Sequence, residues 1–181
     1  MVSDPSDTEH DDAMFDIIRG LNPTATVDTH FGSLQVAVQY ALDNGYAIVS
    51  RSTTGLDDSD NPAGQDMIDN GGIIVHAHGS NGYYEQDETY TDEATIVAIR
   101  DVDGSWGGGS EFTLTEYTSE SECTAYAAGK FLNYGIAHPT LSYTQIRLQL
   151  RADSSNGGVV DPITGYGTPD WDATEIALSA I

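Results

Sequence analysis

Ser121 is the side chain of this sequence best placed to do chemistry, because the spacing of Cys123, Ala127, Ala128, Phe131 and Leu132 predicts a helix beginning beside it. A hydroxyl at a helix N-terminus lies in the positive end of the helix dipole, where a developing oxyanion is stabilised. The same position suits a plain N-cap, since a serine hydroxyl satisfies an orphan backbone N–H there. His76 and His78 stand two apart on an apolar run and share one face, which suits metal chelation or two imidazoles packed toward core or loop. Asp57, Asp58 and Asp60, and separately Asp101 and Asp103, could gather oxygens around calcium, but neither run has the glycine and glutamate spacing of a calcium loop. No cofactor is therefore expected, with calcium as the alternative. Tyr83, Tyr84 and Tyr90 lie in an acidic stretch and offer a cover for a groove or a partner, or ordinary loop packing.

Elements able to hold such residues are legible in the apolar pattern. Ala13, Met14, Ile17, Ile18 and Leu21 fall on one helical face, stopped by Gly20 and the Asn22-Pro23 pair, and a short strand is expected over Ala25 to Asp28. Leu34, Ala37, Val38, Ala41 and Leu42 make an amphipathic stripe ended by Asn44-Gly45. Strands are expected at Tyr46 to Ser50, Ile73 to Ala77 and Ala94 to Ile99, with a brief helix at Gly64 to Asn70. Ala127, Ala128 and Gly129 would let the Ser121 helix pack closely against a neighbour. After a turn at His138-Pro139, Ser142 and Gln145 form a capping-box pattern ahead of Ile146 and Leu150. A last helix, capped at Asp172 and Glu175, follows Gly165 to Asp170. Strands alternating with helices predict an α/β fold of three layers, a mostly parallel sheet with helices on both faces. Residues 1–181 read as one domain, with 1–9 disordered ahead of it. The Gly-rich run Gly104 to Ser110 follows no strand-to-helix transition, so it is not read as a phosphate loop.

The charge bounds the partners. The 181 residues carry 29 acidic side chains against six Lys and Arg, a net charge of -23 spread from end to end. Such a surface repels itself in dilute buffer and is screened at molar salt, the pattern of a halophilic-type acidic protein. Nucleic acid is not expected as a partner, because no basic patch exists to displace counterions. A lone Cys123 leaves no intramolecular disulfide. No positive and apolar leader opens the sequence and no run is long enough to span a bilayer, so a cytoplasmic location and no membrane partner are expected.

The stretch from Ser119 to Asp170 resembles the carboxy-terminal part of the subtilisin-like serine peptidases, the subtilases. That family has a Gly-Thr-Ser-x-Ala-x-Pro-x-x-Ala-Gly nucleophile helix, a Pro-x-Leu-Thr-x-x-Gln-Ile-Arg-x-x-Leu helix and a Gly-x-Gly closing turn. Matched back from Gly129, the family's serine falls on Ser121, and Pro139, Leu141, Gln145, Ile146, Arg147, Leu150 and Gly165 to Gly167 keep the downstream pattern. In the places of the glycine and threonine stand Ser119 and Glu120; Glu122 and Cys123 follow the serine, and Ala125 replaces the proline. The front half is similar in order. His10, Ala13, Ile17, Ile18, Pro23 and Ala25 keep the spacing of the family's histidine helix, although Asp11 and Asp12 replace its glycine and threonine. Ala37 to Leu42, Ile48 to Ser50, and Val75 to Gly82 echo the helix, strand and oxyanion loop that follow.

The resemblance implies a serine-peptidase site: Ser121 as nucleophile, His10 as base, and Ser80 or Asn81 as oxyanion donor. The orienting aspartate of the family lies on an earlier strand, and Asp4 and Asp7 are too close to His10 to belong to one. Loss of that carboxylate costs about four orders of magnitude in the trypsin case. The expectation is a subtilase-like chain, apparently truncated or degenerate and catalytically impaired, with a binding or assembly role toward a peptide or protein. The alternative is an active serine endopeptidase hydrolysing peptide bonds, with the aspartate supplied from another segment or chain; a truncated relative of that kind would be secreted.

Overall fold

The run Ile-Ile-Val-His-Ala at 73–77 has no polar face, and the chain gives it none: all five residues of this strand are buried. The computed structural model describes residues 8–28, 30, 32–52, 61–77, 96–100, 111–117, 119–159, 161 and 165–181. In chain order the elements are α1 (Thr8–Leu21), α2 (Leu34–Asn44), β1 (Ile48–Arg51), α3 (Asn61–Asp69), β2 (Ile73–Ala77), β3 (Ile96–Arg100), β4 (Phe112–Thr113), α4 (Glu120–Ala137), α5 (Tyr143–Asp153) and α6 (Trp171–Leu178). The strands lie in the order β1-β2-β3-β4, every pair parallel, with Ile48 opposite Ile73, Ile74 opposite Ile96 and Ile99 opposite Phe112. Parallel strands need crossover helices, and helices cover both faces here. Along β2, Ile74 packs with α2 and α3 through Leu34, Val38, Ala63 and Met67, while Ile73 and Val75 pack with Cys123, Ala127 and Phe131 of α4. This is the expected three-layer α/β architecture.

α4 is the central helix of its layer, and its small residues are why. Ala125, Ala127 and Ala128 are buried, and a Cβ added at Gly129 would meet Leu21 Cδ1 at 2.6 Å, so α1 lies almost on the α4 backbone. A Cβ at Gly135 would stand 2.2 Å from the Tyr143 hydroxyl, which sets the approach of α5. The Tyr134 hydroxyl donates to the Trp171 carbonyl at 2.6 Å and ties α6 to the same helix.

Several expectations are corrected. Thr8 and Glu9 belong to α1, whose acidic first turn suits the helix dipole, so the helix begins inside the tail expected to be disordered. Ala25 to Asp28 forms no strand: strand composition is local, but a ladder needs a neighbour. α3 starts ahead of the expected Gly64, because Pro62 sits in its first turn, where its missing N–H is harmless. The last helix is capped by Asp170, which accepts from the Ala173 N–H at 2.9 Å, while Asp172 lies within its first turn. β4, only two residues long, carries no periodicity to read. The capping box of α5 and the left-handed Gly45 (φ 73°) that ends α2 are as the sequence indicated.

Candidate active site

The first turn of α4 is built by its flanking polar residues. Ser119 is the N-cap: its hydroxyl accepts from the Glu122 N–H at 3.2 Å, and the Glu122 carboxylate turns back to the Ser119 N–H at 3.2 Å and hydroxyl at 2.9 Å. This capping box satisfies two orphan donors reciprocally. Ser121 is therefore not the cap, and its side chain is left for another contact. Its hydroxyl donates to the Ser52 carbonyl at 3.0 Å, and the Ser52 hydroxyl donates to the Ser121 carbonyl at 3.3 Å. That reciprocal pair pins the start of α4 to the end of β1, at the carboxyl edge of the sheet, where open α/β sheets place their sites.

The capping assignment makes a prediction. Ser119→Ala should lower stability by about 1 kcal/mol, while Ser119→Thr should cost well under half of that. Urea denaturation checks it; equal losses for the two variants would contradict the capping role.

His10 lies in the first turn of α1, half-buried. α1 and α4 run parallel, because their contacts advance together: Met14 and Ile18 with Ala125, Ile18 and Leu21 with Gly129, and the Asn22 amide donating to Asn133 Oδ1 at 3.1 Å. Asn22 and Asn133 are 111 residues apart. Carried back along both helices at the same rise per residue, that register sets His10 level with Ser121. Asp11 shares the α4-facing side of α1 with Met14 and Ile18 and is buried (6%), so a carboxylate occupies the buried face beside the histidine. Ser80 and Asn81 lie outside the described residues. So do His78, Asp57, Asp58, Asp60, Asp101, Asp103, Tyr83, Tyr84 and Tyr90; His76 is wholly buried in the centre of β2.

Two further groups escape the sequence reading. Glu111, just ahead of β4, receives both arms of Arg147 at 2.7 and 2.6 Å and the Arg151 Nε at 2.7 Å. The Tyr166 N–H reaches the Glu111 carbonyl at 2.8 Å, and the Arg151 guanidinium lies 4.8 Å over the Tyr166 ring, so this cluster fixes the closing turn against the sheet. Arg147 and Arg151 at i, i+4 on one helix face were the available signal. On the other side of the molecule, Tyr40 donates to the Asp28 carboxylate and stacks with His30 at a centroid distance of 4.5 Å. The hydrogen bond to Asp28 pushes the Tyr40 phenol above its ordinary value, with desolvation adding to it.

Solved protease structures share the fold of this chain. The Prenylagaramide maturation protease PagA aligns with a TM-score of 0.64 at 14% identity, over 99% of this chain and 86% of that one. The MycP3 protease of the type VII (ESX-3) secretion system aligns with a TM-score of 0.59 at 15% identity, over 83% of this chain and 61% of that one. The fold is that of the subtilisin-like proteases. MycP1 from Mycobacterium smegmatis aligns over the subtilisin-like fold with a TM-score of 0.57 at 18% identity, covering 78% of this chain. This chain spans 61% of the MycP3 chain and 53% of that MycP1 chain. A further match, with a TM-score of 0.56 at 16% identity, lies in a structure of an intact ESX-5 inner membrane complex. No family model and no curated protein matches the chain. The family membership expected from the motifs is corrected accordingly: at these identities the likeness is one of fold alone. Among the described residues no helix is long and apolar enough to cross a membrane.

Proposed function

We propose that this chain is a domain of protease fold that binds or assembles with another polypeptide and does not cleave peptide bonds on its own. The observation that carries this reading is the engagement of Ser121: its hydroxyl is donated to the Ser52 carbonyl. A nucleophilic serine has to pass its proton to a base, and it draws help from a helix N-terminus open to the oxyanion. Here Glu120 and Glu122 fill the first turn, and the Glu122 carboxylate is folded back onto the cap. Acidic groups there suit the helix. They oppose a developing oxyanion, for which even one lost donor costs about 3–4 kcal/mol in a serine protease. The purified chain, assayed in high salt against peptide substrates and a fluorophosphonate, is expected to show no labelling or cleavage that depends on Ser121. Labelling of Ser121, abolished by Ser121→Ala, would overturn the proposal.

One observation favours a second reading. The α1 and α4 register levels His10 with Ser121, which supports an active serine endopeptidase whose orienting aspartate is supplied by another segment or chain.

A further inference from the structure

Lys130 is the only lysine in the 181 residues, and its ammonium lies over two aromatic rings, 5.5 Å from the Tyr126 centroid and 5.8 Å from that of Trp171. The rings meet edge to face at 6.0 Å and so form two walls of one corner. Along α4, Lys130 follows Ser121 by about two and a half turns, or about 13 Å, which also puts it on the opposite side of the helix. The corner is therefore separate from the candidate active site. It belongs to an open groove of about 520 Å³, a volume within the roughly 300–1,000 Å³ of ligand sites. Asp153, Asp170 and Asp172 line the same groove. Yet among the described residues Lys130 makes no ion pair with any of them, and beneath its stem the Trp171 side chain is only 8% exposed. Asp170 accepts from the Ala173 N–H and Asp153 from the Gln149 amide, both at 2.9 Å, so each keeps an oxygen for another donor. Asp172 is exposed. Burial pushes the Tyr126 phenol above its ordinary value, with Glu116, Tyr117 and Asp172 adding to it, so the field at the rings is negative.

We propose that this groove docks an arginine side chain of another polypeptide, which takes the place of the Lys130 ammonium on the Tyr126 and Trp171 rings and pairs with the carboxylates beside them. Two observations carry this independently. The rings already hold a cation, so the chain's own lysine shows what the corner accepts. The carboxylates lining the groove outnumber that cation, so the groove keeps a surplus of negative charge that a second cation complements. Arginine suits it better than lysine. An ammonium is a compact charge that must choose between ring and carboxylate, as Lys130 does, whereas a flat guanidinium stacks on a ring while its N–H groups reach carboxylates in its own plane. The remainder of the groove offers the hydroxyls of Ser155 and Thr168 to the backbone that carries the arginine. At longer range the net charge of -23 draws a basic segment in and turns an acidic one away. The inference rests on the binding role proposed above and gives its partner a chemistry.

The test uses the full chain in about 0.3 M KCl, where attraction to the surface at large is partly screened. The probes are acetyl-Gly-Arg-Gly-amide, the lysine peptide of equal charge, and the citrulline peptide as an uncharged isostere. Because the chain has one lysine, isotope-labelled lysine gives a single ε-methylene resonance, which the two rings displace from its free value. The arginine peptide is expected to move that resonance toward the free value and to shift the Trp171 indole N–H, with half-saturation at about 1 mM. The lysine peptide should bind about threefold more weakly, and the citrulline peptide should do nothing. Lys130→Met, read at the indole, should tighten the arginine peptide about threefold, a gain that misfolding does not produce. Asp172→Asn should weaken it by about as much, while Asp66→Asn, which removes an equal charge from the exposed side of α3, should leave it unchanged. Equal binding of the arginine and lysine peptides, or a Lys130 resonance that neither moves, would overturn the proposal. A resonance that moves with protein concentration alone, together with a dimer in sedimentation, would also overturn it by giving the groove to a second copy. Fluorophosphonate labelling of the same peptide-loaded sample separates the two readings. Binding with labelling of Ser121 retains the arginine site and removes the non-cleaving role; no binding and no labelling does the reverse.

Discussion

Glu111→Ala is expected to remove about 3–5 kcal/mol of stability, the scale of taking one partner out of a buried ion cluster. Three charged groups meet there with side-chain exposures of 7% for Glu111, 7% for Arg147 and 9% for Arg151. Taking these ions out of water is offset by their mutual attraction, by the paired arms of Arg147 and by the stacking of Arg151 on Tyr166. Removing the carboxylate takes away an acceptor that receives three hydrogen bonds from two buried guanidiniums. Since a domain holds only about 5–15 kcal/mol in all, the variant should be unfolded or close to it at low salt. Replacing all three groups together, as Glu111→Leu with Arg147→Met and Arg151→Leu, should recover most of the loss, because apolar side chains of similar volume replace a buried ion cluster at little cost. Urea midpoints of the single and triple variants in molar KCl check this. A single-variant loss below about 1 kcal/mol would mean that water reaches the cluster.

That cluster also marks where sequence reading stops. Whatever is encoded locally was legible: the continuous apolar run of β2, the stripe and Gly45 stop of α2, the Ser142 and Gln145 capping box, and the small residues that let α4 lie against α1. What depends on partners distant in the chain was not. Glu111 is 36 residues from Arg147, and Ser52 is 69 from Ser121. The Ala25 to Asp28 segment has the composition of a strand, but it pairs with no described strand, and a ladder partner cannot be read from local composition. At α4 the two serines illustrate a finer point. Ser119 has a glutamate three residues later and Ser121 has Thr124, so the capping-box rule itself distinguishes the cap from the serine left to bond Ser52.

Melting temperature should climb by about 10 °C between dilute buffer and about 1 M KCl, corresponding to about 3 kcal/mol for a chain of this size. The cause is uncompensated charge: 29 acidic groups against six Lys and Arg. The surface is still more one-sided than this ratio suggests. Arg147 and Arg151 are buried on Glu111, and Lys130, the single lysine, lies 5.5 Å from the Tyr126 ring centroid and 5.8 Å from that of Trp171. Like charges spread over such a surface repel at distances that a Debye length of about 10 Å at 0.1 M leaves partly unscreened, and that about 3 Å at 1 M does not. Compaction brings the acidic groups together, so the repulsion acts against the folded state and weakens as salt is added. If screening is the mechanism, KCl and NaCl at equal ionic strength should give the same gain, and most of it should be complete by about 1 M. A further linear rise at higher concentration would report exclusion of salt from the surface instead. A melting temperature that stays flat from dilute buffer to molar KCl would refute the repulsion account outright.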